Sequence, residues 1–235
     1  MFNLSNKTKA IIISVAAGVL AIIVCIAYFS SDLYTFQKAQ KTYKSIDAAY
    51  EKVDAFSDDI YSAWSKGINH KDELEGIGGW YSRDYMEGLE YLAADMNISL
   101  DDIKKGVISL DNLGKIPENY TDYDVEEAYR NMISESDSTF TVCVNIIVEA
   151  YNATGQTGLI ETDLEMAKAR MRDMSRDHSD YVHYTALNDY LANTLAIYDF
   201  CIEPTGTFDS MSVTLLGYKT TAQKVHFSLD YIFAE

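Results

Sequence analysis

Apolar and polar positions along this 235-residue chain form one unbroken run followed by several periodic stretches. Residues 10–29 read AIIISVAAGVLAIIVCIAYF, without a charge and with Ser14 as the one polar interruption. Wound as a helix, about 20 apolar residues match the ~30 Å hydrocarbon core, so the run predicts one transmembrane helix with the lipid bilayer as its partner. No later stretch approaches that length. Cys25-Ile26-Ala27 imitates a signal-peptidase site, but the apolar run continues through Tyr28 and Phe29, which favours a retained signal-anchor. Tyr28, Phe29, Tyr34 and Phe36 suit an aromatic belt on its outer side.

Straight after the run, Phe36, Ala39, Tyr43, Ile46, Tyr50, Val53, Ser57, Ile60 and Trp64 fall alternately three and four apart. This is a heptad seam of the coiled-coil kind, and it predicts one amphipathic helix over 31–66 that Gly67 ends. Residues 67–120 are choppier. Ser82 is placed to cap one short helix and Ser99 another, the second stopped by Gly114, with Pro117 forcing a loop. Thr121, with Asp122 and Asp124 in the first turn, opens a long helix with Val125, Tyr129, Met132, Phe140, Cys143, Ile147 and Ala150 as its stripe.

Gly155 and Gly158 close that helix, and the next begins near Thr162. Its apolar phase slips at residues 178–181, which predicts a kink or a junction of two helices. After Pro204, the positions Met211, Leu215, Tyr218, Ala222, Val225, Leu229 and Ile232 keep helical spacing. Val225, Phe227, Leu229, Tyr231 and Phe233 also alternate, which leaves a short β element at the C-terminus open. Long amphipathic segments joined by Gly- or Pro-marked links bury their stripes by packing antiparallel. The expected fold is therefore all-α: a short cytoplasmic tail over 1–9, the transmembrane signal-anchor over 10–29, and an acidic helical-bundle domain over 30–235.

Charge narrows the partners. The net formal charge is −17, and beyond Lys7 and Lys9 the remaining 17 basic residues face 36 acidic ones, giving the body −19. Phosphate backbones and anionic headgroups repel such a surface, so nucleic acid is excluded as a partner. Lys7 and Lys9 ahead of the run favour a cytoplasmic amino end and an extracytoplasmic body at the cell membrane, although Lys38, Lys41 and Lys44 blunt the asymmetry. In an oxidising compartment Cys143 and Cys201 could pair as a disulfide, whereas their apolar neighbours suit buried free thiols.

Catalytic signatures are scarce. The chain lacks a G-x-S-x-G elbow, a phosphate loop, an H-E-x-x-H and a C-x-x-C, and Gly76-Ile77-Gly78-Gly79 departs from the dinucleotide fingerprint, so no cofactor is expected. The densest polar cluster is residues 177–183, where Asp180 and His183 stand three apart as a bundle metal ligand pair would. A second such pair is missing, and a capped surface kink explains the cluster. His70 and His226 lack ligand-spaced neighbours in sequence, and the pairs Asp58-Asp59, Asp101-Asp102 and Glu126-Glu127 read as solubility and helix-start charges. Trp80 and Tyr81, in the glycine loop, form a candidate contact loop.

These features support a non-catalytic interaction or assembly module at the cell envelope, acting on a protein partner or by self-association through the 36–64 seam. One alternative is a ligand-sensing ectodomain that signals through a membrane partner, since the tail holds no effector domain. Another is a metal-dependent bundle enzyme built on Asp180 and His183.

Overall fold

The computed structural model describes residues 6–76, 84–136, 138–204 and 207–233, with side chains from residue 31 onward. Among the described residues the fold is all-helical: α1 (Asn6–Asn69), α2 (Lys71–Leu74), α3 (Tyr85–Ala93), α4 (Leu100–Asp111), α5 (Asp122–Glu135), α6 (Thr139–Ala153), α7 (Gln156–Asp177), α8 (Tyr184–Ile202) and α9 (Phe208–Phe233). Within the residues whose side chains are described, no helix is long and apolar enough to cross a membrane. The side chains of 10–29 lie outside that set, as do Trp80 and Tyr81.

The seam of α1 is the spine of the bundle. Ala39, Tyr43, Ile46, Tyr50, Val53, Ser57, Ile60 and Trp64 are all buried, and Phe36 packs its ring 5.5 Å from that of Phe233. A second stripe at seven-residue intervals, Thr42, Ala49, Phe56 and Ala63, is buried as well. Two buried stripes allow α1 to be surrounded, and it packs against α6, α7, α8 and α9. The seam is therefore filled by the chain's own helices.

Ties between helices fix their directions. Lys38 reaches Asp177 at 2.9 Å and Lys52 reaches Asp163 at 2.6 Å, so α7 runs antiparallel to α1. Tyr61 meets Phe208 at one end of α9 while Phe36 meets Phe233 at the other, which makes α9 antiparallel too. α8 runs parallel to α1, with Tyr190 beside Tyr43 and Tyr198 beside Phe56. α6 descends along α1 from the Trp64–Phe140 stack to the Phe56–Tyr151 contact. On the far side of α6, α4 packs closely and carries α5 with it.

Several boundaries differ from the sequence expectation, each for a local reason. Gly67 does not stop α1, which continues to Asn69. A Cβ at Gly67 would sit 2.3 Å from the Phe140 Cα, so this glycine permits helix contact rather than helix termination. The long helix expected from Thr121 is two helices. Ser136 Oγ accepts from the Ser138 N–H at 3.0 Å, and that side-chain turn diverts the backbone from helical bonding. The phase slip at 178–181 is the corner between α7 and α8. Asp84 caps α3 by accepting from the Met86 and Glu87 amides, the place expected of Ser82, which lies outside the described residues. The Ser99 cap and the Thr121 cap are as expected, the latter as a full capping box with Asp124.

The short β element is not formed, because residues 208–233 are helical. Met211, Leu215, Ala222, Leu229 and Phe233 are buried while Phe227 and Tyr231 are exposed, so the alternation at the end of the chain straddles two faces of one helix. Tyr218, expected on the buried stripe, stands at its exposed edge.

Candidate functional site

The most connected polar cluster lies where α8 and α9 meet α1. Tyr43, Asp47 and Tyr50 fall at i, i+4 and i+7, on one face of α1. Tyr190 enters from α8, and His226 and Asp230 from successive turns of α9. Tyr190 is fully buried, while the side chains of Asp47 and His226 are each 26% exposed.

Two carboxylates collect the donors. Tyr190 OH donates to Asp47 Oδ1 at 2.9 Å, and His226 Nδ1 lies 3.0 Å from the same oxygen. Tyr43 OH donates to Asp230 Oδ1 at 3.0 Å. His226 Nδ1 is also 3.2 Å from Tyr190 OH and 3.4 Å from Tyr43 OH. With both phenolic protons committed to carboxylates, the consistent assignment places the imidazole proton on Nδ1, facing Asp47. The rings reinforce the bonds: Tyr50 lies 5.3 Å from Tyr190 and 6.1 Å from His226.

Burial, followed by the charge of Asp47, pushes Tyr190 and Tyr43 well above the usual phenol range. Burial and then Asp54 raise Tyr50 to about 12. All three phenols therefore remain neutral and cannot serve as bases at physiological pH. The arrangement is a three-helix clasp, since its polar contacts tie α8 and α9 to the spine and to each other. Tyr190→Phe should lower stability by about 1–2 kcal/mol, seen as a lower urea midpoint with an unchanged slope. Combined with Asp47→Asn, the loss should be smaller than the sum of the single losses, because one bond is shared. Additive losses would show that the cluster is not coupled.

A second buried cluster surrounds Asp59, which is 1% exposed. Its Oδ1 accepts from Asn97 N at 2.8 Å and Asn97 Nδ2 at 3.0 Å, and its Oδ2 accepts from Tyr151 OH at 2.9 Å. Asp59 thus fastens both the α3–α4 turn and α6 to the spine, which corrects its reading as a solubility charge. One turn away, Lys219 of α9 pairs with Asp54 at 2.8 Å and with Asp58. Lys66 serves the end of α3, donating to the carbonyls of Tyr91, Leu92 and Ala94. Burial lowers its pKa, an effect that Asp95 and Asp59 oppose.

The alternative metal pair does not assemble. Asp180 and His183 lie in the α7–α8 turn rather than on a helix, and the His183 ring packs against Tyr181 and Phe233. Among the described residues, no group of three or more His, Cys, Asp or Glu could hold a metal ion. His178 instead meets Thr35 Oγ1 at 3.2 Å, and Asp177 is held well below the carboxylate range by Arg176 and Lys38. His70 contacts Glu73 and the Tyr91 ring. Cys143 and Cys201 are free, buried thiols on α6 and α8, the second of the two readings left open by the sequence. Burial raises both to about 12. At that value they behave as small apolar side chains rather than nucleophiles.

His226 was missed because its partners are distant in the chain, Tyr190 by 36 positions and Tyr43 by 183. The available signal was the pair Tyr43 and Tyr50 on an apolar seam, since a buried phenol requires an acceptor. No protein-family model, curated protein or solved structure matches this chain.

Proposed function

We propose that this chain is a membrane-tethered, non-catalytic helical bundle that serves as an assembly module at the cell envelope. The observation that carries this reading is the continuity of α1, one helix from Asn6 to Asn69. The apolar run 10–29 and the bundle's central seam belong to the same element, so the body is held rigidly rather than on a flexible leash. The basic Lys7 and Lys9 ahead of the run favour an extracytoplasmic body.

The contact surface in this reading is the outer face of α9. Val213, Leu216, Phe227 and Tyr231 are exposed and fall within one narrow sector of the helix, with Phe227 71% and Tyr231 93% accessible. An apolar stripe on an edge helix suits a partner protein's helix. In isolated membranes the full chain should resist carbonate extraction and cross-link to a partner through Lys224, on the same face. Phe227→Asp with Tyr231→Asp should abolish the cross-link while leaving the helical circular-dichroism signal unchanged. Extraction by carbonate would overturn the tether, and cross-linking indifferent to the two substitutions would overturn the contact face.

A further inference from the structure

Two segments far apart in sequence meet beside the first turn of α1 beyond the apolar run. His178 Nδ1 lies 3.2 Å from Thr35 Oγ1, and its ring centroid is 6.0 Å from that of Tyr34. Tyr181 and Val182 line an open cavity with Ser31 and Asp32. Three apolar side chains at this end face solvent: Val182 is 79% exposed, Tyr34 61% and Leu33 58%.

The position of this end follows from the rise of a helix. Leu33 to Thr35 stand four to six residues past Phe29, or roughly 6–9 Å at about 1.5 Å per residue. The headgroup region adds roughly 5–8 Å to each side of the ~30 Å core. Because α1 is continuous, the α7–α8 corner cannot swing away from that level without breaking its contacts to Thr35 and Tyr34. The charge at this end discriminates among lipids. Asp32, Asp177 and Asp180 line the cavity, and although Lys38 and Arg176 offset Asp177, the other two carboxylates disfavour anionic headgroups and leave zwitterionic ones.

Resting on the transmembrane reading of 10–29, we infer that the α7–α8 corner and the first turn beyond the span form a foot set into the headgroup layer of zwitterionic lipid, with Tyr34 and Val182 as its principal contacts. Tyrosine suits that depth, because its ring meets the acyl boundary while its hydroxyl stays hydrated. Phe36, an expected belt residue, is turned inward onto Phe233 instead. The corner supplies Val182 in its place.

The test uses the full chain carrying Cys25→Ala and Val182→Cys, labelled with an environment-sensitive fluorophore and reconstituted in phosphatidylcholine vesicles that contain nitroxide-headgroup lipid. Cys143 and Cys201 are buried and should stay unlabelled. The probe at 182 should be quenched several-fold, and less so as anionic lipid replaces phosphatidylcholine. A probe at Leu113→Cys, exposed past the end of α4, should be unaffected. Absence of quenching at 182 in vesicles that retain the protein through carbonate overturns the foot and leaves the span standing. Release by carbonate overturns the span, and the foot with it.

Discussion

Asp59→Ala is expected to destabilise the bundle by about 2–4 kcal/mol, measured by urea denaturation at neutral pH. The substitution removes the shared acceptor of the Asn97 amide, the Asn97 side chain and the Tyr151 hydroxyl, and no other acceptor is provided for Tyr151 in its buried position. Asp59→Asn should cost less, about 1–2 kcal/mol, because its carbonyl oxygen can keep Asn97 and its amide can donate to the Tyr151 oxygen, leaving only the phenol proton without its acceptor. The two variants separate loss of bonding from loss of charge.

The same site yields a pH signature whose sign is fixed. Burial raises the Asp59 carboxyl above its usual value, against the lowering effect of its hydrogen bonds to Asn97 and Tyr151. The folded state therefore holds this proton more tightly than the unfolded chain does. That contribution is fully present below the unfolded pKa and is lost as pH rises through the folded one. Asp102 and Asp124, lowered by hydrogen bonds from Lys105 and Thr121 respectively, act in the opposite sense. The total profile thus mixes both signs, but the difference between the native chain and Asp59→Asn isolates one group. The native chain's stability relative to the variant should fall with rising pH, and a flat difference would show that Asp59 carries no such shift.

The spine was legible in the sequence because heptad spacing reports one face of a helix directly, and every residue named on that face is buried or packed against the core. The second buried stripe was not. Thr42, Ala49, Phe56 and Ala63 mix a polar, two small and one large residue, so no single hydrophobic period marks them, and only the arrival of four neighbouring helices makes them core. The break between α5 and α6 was hidden for a related reason. Residues 134–139 read SESDST, but Met132 and Phe140, eight apart on either side, stay in helical phase, so spacing alone did not reveal the serine side-chain bond that interrupts the helix.

Polar clusters were the least legible, because their logic is long-range. His226 and Asp59 look alike in sequence to solvated groups elsewhere in the chain, and only tertiary contact distinguishes them. The scarcity of cations gives a partial signal in retrospect. Among the few basic residues, Lys38, Lys52, Lys104 and Lys219 each bridge two helices. In a body this acidic, a lysine placed beside facing carboxylates both relieves repulsion and sets which helix lies next to which. Pairs with exposed partners contribute little stability individually, so their main effect is on register.

A large backbone effect should come from Gly106, where α4 crosses α6. A Cβ there would lie 2.6 Å from the Ile146 carbonyl oxygen and 2.7 Å from the Ala150 nitrogen. Both are backbone atoms of a helix packed on its other side against α1, so neither can yield by a change of rotamer. Gly106→Ala should therefore cost about 2–3 kcal/mol despite the better helix propensity of alanine, with α4 forced away from α6. The Ser109–Glu149 hydrogen bond, 2.6 Å across the same interface, should lengthen or break. Gly217, in the interior of α9 with open space where a Cβ would stand, should respond in the opposite direction. There Gly217→Ala should stabilise by about 0.5–1 kcal/mol, the helix gain unopposed by a clash. Opposite signs for two Gly-to-Ala changes within helices, read from urea midpoints under one set of conditions, would locate the cost of Gly106→Ala in close packing. Stabilisation by both changes would leave helix propensity as the one effect at either site and refute the tight crossing of α4 on α6.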